Sequence, residues 1–183
     1  MQSNALLADY GYHDDVLLIV PVSTQQSIAP NAGPSAHFTV EAKWLICREV
    51  CLPDHAQLQM SLPISGKAIG ENPSSAKLFA HTEALLPKPV PRSWKVSARS
   101  RKDDFAMTIT AGKRIAKAQF FPLYPGEIDN PAPQKLQASA TGVTMVLKKS
   151  DLLVKPITVL RGVLVLPGGE AYRIEAPVRQ SLQ

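Results

Sequence analysis

The chain carries two cysteines, Cys47 and Cys51, in the run Trp44-Leu45-Ile46-Cys47-Arg48-Glu49-Val50-Cys51-Leu52-Pro53. Three kinds of chemistry are open to such a pair. The first is a structural disulfide, but a bridge closing about five residues constrains the unfolded chain by only about 2 kcal/mol. The second is a dithiol in exchange, which requires a thiolate nucleophile. Lys43 and Arg48 are near enough in sequence to favour the anion, while Glu41, Glu49 and Asp54 oppose them. The third is zinc, because Cys47, Cys51 and His55 recur every four residues and His37 could supply a fourth ligand. Pro53 opposes the continuous helix that would align that trio.

Geometry says what must position the thiols. Residues four apart in one extended strand are separated by roughly 13 Å, whereas bridged cysteines have Cα atoms roughly 4.4–6.8 Å apart. A bridge therefore needs a turn between them. The flanks supply two strands for that turn to join. Phe38, Val40, Ala42 and Trp44 alternate with Thr39, Glu41 and Lys43, and Ala56, Leu58, Met60 and Leu62 alternate with Gln57, Gln59 and Ser61. Each is the period-two pattern of a half-buried strand with its apolar set turned inward.

Composition bounds the rest. At 45% hydrophobic, 183 residues can bury a core, enough for one large β-domain or two small ones. Sixteen prolines against ten glycines, with β-branched alternation, favour short strands and rigid loops. The net charge is +5, yet its one dense group, Arg92, Lys95, Arg99, Arg101 and Lys102, is closed by Asp103 and Asp104 and lacks interleaved aromatics. It reads as a solvated face and gives no support for nucleic-acid binding. No run of about twenty apolar residues spans a membrane. No Gly-x-Ser-x-Gly elbow supports a hydrolase.

The cysteine run, followed by its alternating strand, resembles the motif of the periplasmic N-terminal domain of the thiol:disulfide interchange protein DsbD and its ScsB-type relatives. Upstream, Asp9-Tyr10-Gly11-Tyr12 and the apolar segment Val16-Leu17-Leu18-Ile19-Val20-Pro21-Val22 are similar to the family segment that enters the strand before the cysteines. The resemblance covers roughly Asp9 to Pro63. The three-residue spacing between the cysteines resembles that of the ScsB branch, and DsbD itself has more.

The resemblance implies an immunoglobulin-like β-sandwich acting as a protein-disulfide reductase. Its catalytic pair, Cys47 and Cys51, would take electrons from a membrane-embedded electron-transfer domain of the parent protein. It would pass them to periplasmic thioredoxin-fold proteins, with no cofactor and no metal, in pathways such as cytochrome c biogenesis. Tyr10 and Tyr12 fall where the family places an aromatic cap that shields the pair. Phe120, Phe121 and Tyr124, in the densest aromatic cluster, resemble a downstream ScsB segment and are candidates for partner binding. The alternative is a non-catalytic β-sandwich interaction domain with Cys47–Cys51 as a staple. Family members also carry strands upstream of the tyrosine segment.

Along the chain, Met1 to Ala5 reads as an expression-tag remnant. Residues 6–87 hold the cysteine-bearing part and a helix, and residues 92–183 a second β-rich unit packed on it. Asn72 as cap and Pro73 at the first helical position start a helix that runs to Leu86, with Leu78, Leu85 and Leu86 as its apolar stripe. Pro87 to Pro91 marks the boundary. Strands are expected at Trp94–Arg99, Phe105–Thr110, Lys117–Phe121, Val143–Leu147 and Ile157–Leu166. The last leads through Pro167-Gly168-Gly169 into Ala171–Glu175 as a hairpin.

Overall fold

The computed structural model describes residues 10–23, 35–64, 70 and 72–180, so the stretch read as a tag remnant lies outside the described residues. The fold is mainly β, a sandwich of curled sheets with one helix among the described residues. The chain divides into two compact units, Leu17–His81 and, with the segment up to Val16, Thr82–Gln183.

The first unit holds a long antiparallel ribbon. Strand β1, Ser35–Cys47, pairs with β2, Cys51–Pro63, in an unbroken ladder from Ser35 opposite Pro63 to Cys47 opposite Cys51. Because side chains alternate across a strand, this register puts Phe38, Val40, Ala42, Trp44 and Ile46 on one face with Leu52, Ala56, Leu58, Met60 and Leu62. The faces are those expected, but the burial is not. Val40, Trp44, Leu58, Met60 and Leu62 are exposed, since a two-stranded ribbon has no second layer of its own to bury them against.

Helix α1, Pro73–Leu85, starts where its cap predicts. The Asn72 Oδ1 accepts from the Ser74 and Ser75 N–H groups at 3.0 and 3.4 Å, satisfying two otherwise orphaned donors. Of its expected stripe, Leu78, Leu85 and the following Leu86 are all exposed.

The second unit is the sandwich proper. Its strands are β3 (Lys88–Pro89), β4 (Lys95–Ser100), β5 (Asp104–Thr110), β6 (Gln119–Pro122), β7 (Lys135–Ser139), β8 (Gly142–Lys148), β9 (Val159–Val165) and β10 (Ala171–Gln180). They follow the spatial order β6-β9-β10-β4-β5-β8-β7, with β3 added to β10. Strand β10 changes partners along its length: Ala171–Pro177 runs antiparallel to β9, and Val178–Gln180 runs parallel to β4. Pro177 stands at the changeover, where its missing N–H is least costly to a ladder. The sheet thus turns a corner, and Phe105, Met107, Ile109, Met145 and Leu147 on one side meet Phe120, Leu160, Leu164 and Ile174 from the other in one buried core.

Gly162 permits the closest approach in that core. A Cβ there would lie 2.2 Å from the Phe121 carbonyl oxygen and 2.4 Å from the Phe120 ring. Gly168 and Gly169, both at positive φ, make the β9–β10 turn anticipated from the sequence. Strands β3 and β7 were not anticipated; β3 is two residues of a proline-rich segment, and β7 (Lys-Leu-Gln-Ala-Ser) has one large apolar side chain.

Candidate functional site

The ladder register accounts for the meeting of Cys47 and Cys51. Both strands end on a cysteine, and Arg48-Glu49-Val50 turns the chain between them, with the Arg48 N–H donating to the Val50 carbonyl at 3.2 Å. The Cα atoms are 4.1 Å apart and the sulfurs are bonded, S–S 2.04 Å. The pair lies at the exposed tip of the ribbon, not inside a core.

Exposed apolar side chains surround the bridge, interrupted in the turn by Arg48 and Glu49. Leu45 and Pro53 flank the cysteines two rungs down on the same face, Ile46 and Leu52 lie on the opposite face, and Val50 stands in the turn. Leu45, Ile46, Val50 and Leu52 each expose more than half of their surface. This collar went unremarked in the sequence, although Leu-Ile-Cys and Cys-Leu-Pro spell it out on either side of the turn. Beneath it is a shallow depression lined by Lys43, Trp44, Leu45, Pro53, Asp54 and His55.

The surroundings of the two sulfurs are nearly symmetrical. Trp44 and Ile46 point away from Cys47 on the other face, and both cysteines are exposed. The Lys43 ammonium is ion-paired with Glu41 at 3.0 Å and sits four rungs from the bridge, while Arg48 follows Cys47 directly in the chain. The zinc set is not assembled. His37 lies ten strand residues from Cys47, roughly 33 Å, where its Nδ1 meets the Ser61 hydroxyl at 2.8 Å.

The remaining candidates lie in the sandwich unit. Tyr10 packs edge-to-face on Phe121, ring centroids 5.1 Å apart at 81°, and partial burial raises its phenol above the usual range. The residue read as cap and one of those read as docking surface therefore touch each other. Tyr12 is exposed and close to no ring among the described residues. Phe120 is wholly buried, so its ring serves the core, and of the aromatic cluster Leu123 and Tyr124 present an exposed surface.

Gln134 plays a structural part that sequence reasoning missed. Its Oε1 accepts from the Phe120 N–H at 2.8 Å, and its Nε2 donates to the Phe120 carbonyl at 2.7 Å. One carboxamide thereby takes the place of a neighbouring strand at the edge of β6.

No helix among the described residues is long and apolar enough to cross a membrane. No family model matches the chain, and no curated protein does. Among solved structures, the N-terminal periplasmic domain of ScsB from Proteus mirabilis is similar, with a TM-score of 0.55 and 13% sequence identity. The match covers 74% of this chain and 54% of that one, so the chain spans about half the length of that structure. At this identity the likeness is one of architecture: the chain shares the fold of the matched part of that ScsB periplasmic domain.

Proposed function

We propose that the chain is a thiol–disulfide exchange domain which relays electrons from a membrane-embedded domain of its parent protein to periplasmic thioredoxin-fold proteins. In its reduced form, one thiolate of the pair attacks the partner's disulfide and releases a partner thiolate. The second cysteine then displaces the partner, leaving Cys47–Cys51 bonded and the partner dithiol reduced. Two electrons pass, and the membrane domain restores them.

The observation that carries this reading is the placement of the bridge. Cys47 and Cys51 already face each other through the β1–β2 ladder, so a covalent staple there adds little order. Its loop is also among the least effective for constraining an unfolded chain. An exposed disulfide ringed by exposed leucine, isoleucine and valine is poorly placed as a staple. It suits a bond that must meet another protein's sulfurs. The fold shared with a periplasmic ScsB domain supports the same reading.

A redox titration with thiol counting tests it. Exchange requires a potential in the range of dithiol carriers, roughly −120 to −300 mV. A potential far below about −300 mV would assign the bridge to structure and leave a non-catalytic interaction domain.

A further inference from the structure

Two side chains in the sandwich unit are more exposed than any other large apolar residue described: Val154 at 86% and Leu152 at 78%. Both lie in the loop joining β8 to β9, which the backbone holds in a defined turn. The Leu152 N–H donates to the Ser150 hydroxyl, and the Leu153 N–H to the Ser150 carbonyl. Leu153 turns inward to pack on the core, so its two neighbours are thrust outward together.

Beside this loop is a cavity of about 280 Å³ whose lining includes Val154 with Lys102, Lys149, Lys155, Ser100 and Gln180 and, among the described residues, no carboxylate. The nearby charges divide into two sets. Arg101 is neutralised by Asp104 at 2.5 Å and Lys148 by Asp129 at 2.6 Å. Lys102, Lys149 and Lys155 have no ion pair among the described residues. The Lys149 ammonium is held by the carbonyl oxygens of Arg101 and Lys102 and lies 5.1 Å from the Phe105 ring centroid. Neutral groups fix this cation in place without cancelling it. Asp103 and Asp151 are the neighbouring acids, and neither lines the cavity.

We infer that this end of the sandwich is a docking face for an anionic lipid bilayer. Leu152 and Val154 would enter the interfacial region, and the three lysines would receive lipid phosphates. Apolar side chains protruding beside unpaired cations are the two components of reversible interfacial binding, one supplying burial and the other attraction to negative headgroups. Either alone is weak, and the loop presents both. The inference stands apart from the exchange reading, since it uses no atom of the cysteine ribbon.

Co-sedimentation of the whole chain with vesicles tests it. Phosphatidylglycerol-containing phosphatidylethanolamine vesicles should retain the protein at low salt, and phosphatidylcholine vesicles should retain markedly less. Raising the salt to about 0.5 M should release it. K102E/K155E should lower the partition coefficient by about tenfold or more, and L152S/V154S by several-fold at constant salt. All four residues are exposed, and an unchanged thermal midpoint would verify the fold of each variant. Equal binding of wild type and K102E/K155E would overturn the inference, as would no difference between anionic and neutral vesicles. If L152S/V154S binds as well as wild type and millimolar inorganic phosphate displaces both, the cavity is a site for free anions and the membrane face is refuted.

Discussion

The carboxamide of Gln134 holds both main-chain groups of Phe120, accepting from its N–H and donating to its carbonyl oxygen. Strand β6 ends the spatial order of the sheet at one side and β7, which begins at Lys135, ends it at the other. A single side chain thus ties the two edges of the sandwich and occupies hydrogen-bonding groups that an unprotected edge would offer to another chain. Replacing Gln134 by alanine leaves a part-buried donor and acceptor unpaired. The expected loss is about 2 kcal/mol or more, read as a lower urea midpoint at unchanged slope, with faster hydrogen exchange at the Phe120 amide.

Phe120 and Tyr124 are four residues apart in one aromatic cluster and are expected to respond oppositely. Phe120→Ala removes a wholly buried ring and should cost about 3–5 kcal/mol of stability. Tyr124→Ala, at an exposed position, should change it by less than about 0.5 kcal/mol. Any effect of Tyr124→Ala on the rate of exchange with a protein disulfide would then report docking. Equilibrium denaturation of both variants, beside the exchange assay, separates the two roles.

Glu127 should give the fold a pH dependence. Its carboxylate is buried, one oxygen has no hydrogen-bond partner, and burial raises its pKa, an effect only partly offset by the charge of Arg161. A carboxyl whose folded pKa lies above its unfolded value favours the fold while protonated, and that contribution is lost as the pH rises through the folded pKa. Glu127→Gln should therefore be more stable than wild type at pH 7 to 8, the difference closing toward pH 4. Thermal midpoints across that range measure it, and a gap that widened on acidification would show that pairing outweighs desolvation.

Much of the fold was legible in the residues. The alternation around Phe38 and Met60 fixed the faces of β1 and β2, Asn72-Pro73 marked the start of α1, and Pro167-Gly168-Gly169 marked the β9–β10 turn, because each is a local signal with a local cause. What escaped was long-range. Nothing in Gln134 indicates that its side chain will stand in for a strand beside Phe120. The partner change of β10 at Pro177 depends on two sheets meeting. The cysteines themselves were plain, but their near-symmetrical surroundings were not. Which faces Trp44 and Ile46 take relative to Cys47 follows from the ladder register alone.

Reducing the bridge should leave the fold standing, because the cysteines sit at the end of a ladder whose other rungs do not depend on it. Dithiothreitol should lower stability by at most about 2 kcal/mol and leave near-ultraviolet signals of the sandwich, including the Trp94–Tyr172 pair at 4.9 Å, unchanged. Circular dichroism of oxidised and reduced protein at matched concentration checks this.

The exchange reading is tested most directly by trapping its intermediate. Cys47→Ala and Cys51→Ala, each as the reduced protein, are mixed with an oxidised thioredoxin-fold protein, and the products are separated without reductant. At least one variant is expected to form a covalent one-to-one complex that dithiothreitol dissolves, while the double variant forms none and remains folded. Failure of both single variants to trap a partner, together with failure of the intact dithiol to reduce it, would contradict the account and leave Cys47–Cys51 as a structural bond.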